Sequence, residues 1–207
     1  MPDLSEEPSG GLPDGLVRGE DGVLRCWWPG DDLEYRRYHD TEWGRPVHDD
    51  RRLFEKLCLE GFQAGLSWLT ILRRRPALRE VFADFDPERI AAFGPEDVDR
   101  LLGDARIIRH RGKVEATVHN ARAYLDLVGE GTSLDDLVWR YTPEAPPIPR
   151  TRGDVRATSA EATVLAADLK RRGFRFVGPT TAYAFCQAMG LVDDHLVGCA
   201  SRTPSTG

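Results

Sequence analysis

Long apolar runs are missing from this chain of 207 residues. None approaches the ~20 residues that cross a bilayer, and the first seven, Met-Pro-Asp-Leu-Ser-Glu-Glu, have neither the basic start nor the apolar stretch of a signal peptide. A cytoplasmic protein with no membrane partner is expected. Cysteine is scarce: the four present (Cys26, Cys58, Cys186, Cys199) are too few for a disulfide scaffold at this length. Cys58 and Cys186 fall in apolar helical patterns and read as reduced core residues. No stretch alternates apolar and polar residues with period two, which leaves an all-α fold. Basic residues are outnumbered, 28 Lys and Arg against 34 Asp and Glu, and the net charge of −6 argues at first sight against a nucleic-acid partner.

The distribution of charge weakens that objection. Met1 to Glu20 hold five acids and one base and so carry −4 of the −6. Rich in Gly and Pro besides, residues 1–21 read as a disordered acidic tail. What remains is nearly balanced, with basic clusters at Arg73-Arg74-Arg75, Arg106 to Lys113 and Lys170-Arg171-Arg172 with Arg175. Each cluster alone reads as a solvated helix face. Residues 22–200 are long enough for one good core or two small lobes sharing one, and 201–207 read as a flexible end.

Helical spacing is clear from Asp50, where Leu53, Phe54, Leu57 and Cys58 share a face and Gly61 is expected to close the helix. Another run follows through Leu66, Trp68, Leu69 and Leu72. Asp86-Pro87 is a helix start, and Gly94-Pro95 separates it from a segment over Glu96 to Leu102. Lys113 to Val128 is the best amphipathic stretch. Proline-rich residues 142–153 read as a surface loop. Thr158 and Glu161 suggest a capping box for a helix stopped at Gly173, and Pro179 opens the last helix, which runs to Gly190.

Four features could carry chemistry. His195 and Cys199 are four apart and would share a face if helical; with Cys26 and His39 they would make a Cys2His2 metal set, or they are a surface His beside a small buried Cys. Residues 173–182, Gly-Phe-Arg-Phe-Val-Gly-Pro-Thr-Thr-Ala, turn between two helices and would present backbone N–H groups to an anion, or simply connect them. Trp27, Trp28, Tyr35, Tyr38, Trp43, Phe62 and Trp68 crowd the first third, either as core or as walls of a pocket that stacks a flat, electron-poor ring. Glu60 stands at the end of an apolar helix. It is a surface acid there, or a carboxylate facing a cleft and in want of a cationic or amine-bearing partner.

Five motifs combine these features: Tyr-His-Asp-Thr-Glu-Trp-Gly (38–44), Leu-Glu-Gly-Phe-Gln-Ala-Gly-Leu-Ser-Trp (59–68), Ile-Ile-Arg-His-Arg-Gly-Lys (107–113), Gly-Phe-Arg-Phe-Val-Gly (173–178) and Asp-His-Leu-Val-Gly-Cys (194–199). Together they resemble the type I 3-methyladenine DNA glycosylases, the Tag family, over about Leu24 to Ala200. The resemblance implies a helix-hairpin-helix glycosylase fold acting as a monomer on double-stranded DNA with alkylated bases. It also implies release of free 3-methyladenine and a structural zinc on Cys26, His39, His195 and Cys199 that joins the two ends of the chain. Base recognition is carried over to Glu60, with Tyr38 and Trp68 lining the pocket, Trp43 near it, and Tyr35 and Trp28 as neighbours. Phosphate contacts fall to the hairpin, at Val177, Gly178 and Thr180 with Arg175 beside them. The wider superfamily often has a catalytic Asp after the hairpin, and Asp193 stands there, although Tag members generally manage without it.

Overall fold

The computed structural model describes residues 11–203, and the helices begin where local chemistry starts them. Asp32 caps α1 (Leu33–Thr41), Asp49 caps α2 (Asp50–Gln63), and Ser67 caps α3 (Trp68–Val81), each through a side-chain oxygen that accepts a first-turn N–H. Asp86 caps α4 (Pro87–Ala91), and Pro95 occupies the first turn of α5 (Pro95–Gly103). Then come α6 (Arg111–Gly129), α7 (Leu134–Trp139), α8 (Ala160–Arg171) and α9 (Pro179–Ala188). Helix α2 is central and packs against α3, α6, α7 and α9, while α8 lies along α9 and α4 along α6. Leu53, Phe54, Leu57, Leu59 and Phe62 of α2 are almost completely buried, so this helix carries the middle of the core.

Several expectations are corrected. The fold is not purely helical: β1 (Leu16–Arg18) pairs antiparallel with β2 (Leu24–Cys26), Leu16 opposite Cys26. Three-residue strands are too short to show alternation. Part of the expected acidic tail is therefore ordered, and its first ten residues lie outside those described. At the other end Ser201 is buried, and the Thr203 N–H donates to Asp193 Oδ2 at 3.0 Å, so residues 201–203 are tied down; 204–207 lie outside the described residues. Gly61 does not close α2, which runs on to Gln63. A Cβ there would come within 3.2 Å of the Phe176 Cβ, so the glycine permits close approach of the turn before α9. The end of α2 is capped from a distance, by Lys113 Nζ donating to the carbonyls of Phe62 (2.8 Å) and Ala64 (2.6 Å).

Helix α8 starts one residue later than expected, because Ser159 is the cap: its Oγ accepts the Ala162 N–H at 3.1 Å. Ser159→Ala should cost about 1 kcal/mol in urea unfolding. A larger loss from Thr158→Ala would restore the earlier cap.

Candidate functional site

Helix α1 projects Tyr35, Tyr38 and His39 from one face, as residues three and four apart must be. Trp43 follows the helix, Trp28 precedes it, and Trp68 opens α3. Around them lies a cavity of about 200 Å3 lined by Trp28, Tyr35, Tyr38, Trp43 and Trp68. Trp28 meets Tyr35 at a ring separation of 4.9 Å and Trp43 edge-on at 5.0 Å, and Tyr38 lies 5.3 Å from Trp68. The five aromatics that the resemblance assigns to base recognition come together here, whereas Phe62 of the same cluster is buried in the core. Trp27, from the same aromatic cluster, also lines the cavity, as do Gln63 and Gln187, which the sequence does not single out because only the fold brings them to it. The buried Trp68 Nε1–H has no acceptor among the described residues, a donor left over at the wall of an aromatic cavity. Burial, and then the charge of Glu60, push the Tyr38 phenol well above its usual range, and the same causes push Tyr35 up to about 12. Both stay protonated.

Glu60 is 5% exposed and lines an adjoining cavity of about 200 Å3 with Leu66, Thr180 and Thr181. The two cavities share Gln63 and Ala184. The partner expected of a ligand is supplied by the protein itself: Lys56, one turn earlier on α2, places Nζ 2.7 Å from Glu60 Oε1. The same ammonium donates to Tyr38 OH at 3.0 Å and sits 3.2 Å from the Trp68 ring centroid. Burial draws Lys56 below the usual lysine range, and the Glu60 carboxylate opposes this. Its signal in the sequence was a charge four residues before Glu60 on an apolar face.

Cys26 from β2, His39 from α1 and Cys199 from the C-terminal segment are all buried, with their ligand atoms within 4.8 Å of one another, a group able to hold a metal ion. His195 stands beside this trio, its ring 4.8 Å from that of His39 and its Nε2 3.4 Å from the His39 carbonyl oxygen. The expected helical turn linking His195 to Cys199 is not formed; a tight turn ending in the Cys199 N–H to Leu196 carbonyl bond (2.9 Å) brings the thiol round instead. The donor set fits a metal in another respect. His39 Nδ1–H donates to Asp40 at 2.8 Å and His195 Nδ1–H to Asp193 at 2.7 Å, which leaves each Nε2 as the available ligand atom. Arg25 in turn holds Asp40 at 2.9 Å. Hydrogen bonds from Cys26 and His39 hold the Cys199 thiol below its usual range. Trp43 bridges the two regions, edge-on to His195 at 4.6 Å and to Trp28 at 5.0 Å.

Asp193 is engaged elsewhere than the aromatic cavity. Its Oδ1 accepts from the backbone N–H and ring of His195 and its Oδ2 from Thr203.

Gly173, at φ 92°, ends the α8 side of the turn, and Gly178 caps α9 with Pro179 in its first turn. The Val177 side chain is buried, so only backbone could serve a ligand there, whereas Arg175 and Thr180 are exposed. Arg175 forms no ion pair among the described residues, while its backbone is pinned by Asn120 through bonds of 2.7 and 3.2 Å. Most of the other basic residues named from sequence are spent internally: Arg75 on Glu42, Arg106 on Glu80 and Asp104, Arg171 and Arg172 on Asp168. A larger cavity, about 330 Å3, opens between α5 and α6, but its Arg111 is paired with Asp99 and its Arg122 donates to the Ala91 and Phe93 carbonyls. It offers no comparable grouping.

A model of the methyladenine glycosylase family matches residues 28–203. The chain belongs to that family. It is 48% identical over 177 residues to DNA-3-methyladenine glycosylase 1 of Escherichia coli strain K12, which covers 84% of this chain and 95% of the relative. A crystal structure of 3-methyladenine DNA glycosylase I superposes with a TM-score of 0.84 at 48% identity, covering 86% of this chain and all of the other. A Staphylococcus aureus structure described as the basis of 3-methyladenine recognition gives 0.83 at 40% identity, covering 86% of this chain and 96% of its own. The family match takes in Trp28, Tyr35, Tyr38, Trp43 and Trp68 of the aromatic cavity, Glu60 and the turn before α9; Trp27, Cys26 and the strand pair precede it.

Proposed function

We propose that this methyladenine glycosylase excises 3-methyladenine from alkylated double-stranded DNA, with the extruded base in the aromatic cavity and Glu60 accepting an N–H from it. The observation that carries the reading is the adjacency of three things: a box of five aromatics, a buried carboxylate, and the exposed first turn of α9, whose Thr180 and Thr181 share Glu60's cavity. Flipping a base costs a few kcal/mol, which stacking on Trp and Tyr offsets. Adenine methylated at N3 is cationic while attached to the sugar, so the base is already a good leaving group and asks for little acid catalysis. Water attacks C1′ as the bond breaks, leaving an abasic site. No lysine occurs in residues 173–190 to act as an amine nucleophile, in keeping with simple hydrolysis.

In this reading the α8–turn–α9 unit is a helix-hairpin-helix element that holds phosphate through the free N–H groups of the first turn of α9, with Arg175 alongside. Cavity and hairpin come from one chain, so the site needs no second copy, in keeping with action as a monomer. Cys26, His39, Cys199 and His195 hold a zinc ion whose four protein ligands leave no open position, so its work is structural. Asp193 orients His195 for that ion and takes no part in the bond cleavage.

Release of free 3-methyladenine from methylated DNA by purified, zinc-loaded protein tests the reading; no release would leave a DNA-binding module without chemistry. Arg175→Ala should weaken DNA binding several-fold and lower the salt slope by about one phosphate contact, without changing which base is released. An unchanged slope would take Arg175 off the interface.

A further inference from the structure

The cavity of about 330 Å3 between α5 and α6 has no part in the base site, yet it borders the hairpin. Arg111, Glu115, His119 and Arg122 recur along α6 at spacings of three and four, so one face of that helix forms a wall of the groove. Arg175 reaches the same groove from the turn before α9, and Asn120 of α6 holds the Arg175 backbone through bonds of 2.7 and 3.2 Å. Hairpin and groove are thus fastened together. The acids beside the groove are both spent on one base, since Arg111 pairs with Asp99 at 2.7 Å and with Glu115 at 3.4 Å. Arg122 has no carboxylate partner among the described residues. Its Nε and Nη2 donate to the Ala91 and Phe93 carbonyls at 3.0 and 2.9 Å, which fixes the guanidinium and leaves Nη1 over. His119 feels this charge and that of Arg175: burial, and then the two guanidiniums, draw its imidazole below the usual histidine range. Asp126 acts on it in the opposite sense but lies outside the lining of the groove.

We propose that this groove is a second DNA-backbone site, in which Arg122 holds a further phosphate of the strand gripped by α9, with Arg175 between the two positions. The inference rests on the hairpin being the phosphate-binding element and extends the interface onto α6. Two considerations carry it. In a chain of net charge −6, two arginines without carboxylate partners meet at one groove, and unneutralised guanidinium is what a polyanion requires. The groove is also continuous with the hairpin through Arg175, which belongs to both. Between the arginines Phe93 and Pro95 offer apolar surface, which suits the sugar of a sugar-phosphate strand better than it suits a bare anion. A contact of this kind positions the duplex and reads no sequence.

The test measures binding of the zinc-loaded protein to a duplex carrying an uncleavable abasic analogue, first across a range of salt and then with single phosphates replaced by neutral methylphosphonates. The wild type should lose affinity at two separate phosphates of one strand. In R122Q, affinity should fall by about three- to tenfold and the salt slope by about one, and sensitivity at one of those two phosphates should vanish while the other stays. R122K keeps the charge and should keep both positions. E115Q removes an acid from the groove and should bind about two- to fivefold more tightly, a gain that no structural role predicts; it supplies the comparison should R122Q not fold. The proposal is overturned if R122Q keeps the wild-type slope, or loses affinity while both phosphates stay sensitive, or if E115Q binds no more tightly than the wild type. If the wild type is sensitive at neither phosphate, the hairpin reading itself fails, an outcome distinct from the absence of the second position alone.

Discussion

Glu60→Gln lowers the single-turnover rate of 3-methyladenine release by about tenfold to a hundredfold, the worth of a hydrogen bond to a charged acceptor in a buried site. The substitution keeps the size of the side chain and one acceptor oxygen. It removes the charge and turns the other position into a donor, which faces an N–H of the base with the wrong polarity. The protein stays folded but less stable, because Lys56, 2.7 Å away, loses its counter-charge. Rates measured at saturating enzyme on methylated DNA, alongside far-ultraviolet circular dichroism, separate the two effects. A release rate equal to that of the wild type would take Glu60 out of base recognition.

Cys199→Ser removes a thiolate from the junction of the two chain ends, and the expected result is loss of bound zinc together with about 3 kcal/mol or more of stability, a fall in melting temperature of about 10 °C for a chain of this size. The effect is large because the cluster fastens three separate segments. Cys26 lies on β2, His39 on α1 and Cys199 thirteen residues from the start of the described C-terminal loop's anchor at Cys186, whose carbonyl accepts from Leu191 at 3.0 Å. His39 and Trp43 belong to the same face and edge as the aromatic walls, so slackening here also loosens the cavity. Metal content by mass spectrometry and thermal melting check it. A variant that keeps one zinc per chain and the wild-type melting temperature would show the metal group to be misassigned.

Local signals were legible where a few neighbouring residues decide the structure. Asp86-Pro87, Gly173 and Pro179 mark helix ends because the capping oxygen, the positive φ and the missing N–H each act within one turn. Gly61 misled for the converse reason: its purpose is a contact with Phe176, more than a hundred residues on, and no local rule carries that. Cys199 meets Cys26 and His39, but a turn and not a helix brings it there, and His195 stands beside the trio rather than within it. For the cavity, aromatic density points to Trp27, Trp28, Tyr35, Tyr38, Trp43, Phe62 and Trp68, because bulky rings among charged residues are unusual enough to stand out, and all but the core residue Phe62 line it. Gln63, Gln187 and Lys56 did not stand out, being ordinary polar residues whose surroundings exist only after α2, α3 and α9 have packed. Asp193 was a candidate for catalysis by position, and its hydrogen bonds to His195 and Thr203 assign its oxygens elsewhere.

The most direct measurement is a crystal structure of the zinc-loaded protein with free 3-methyladenine bound. The base should lie in the cavity of about 200 Å3 among Trp28, Tyr35, Tyr38, Trp43 and Trp68, with an N–H on the Glu60 carboxylate and Lys56 still on its Oε1. A base bound outside that cavity, or inside it with Glu60 making no contact to the ring, would contradict the account.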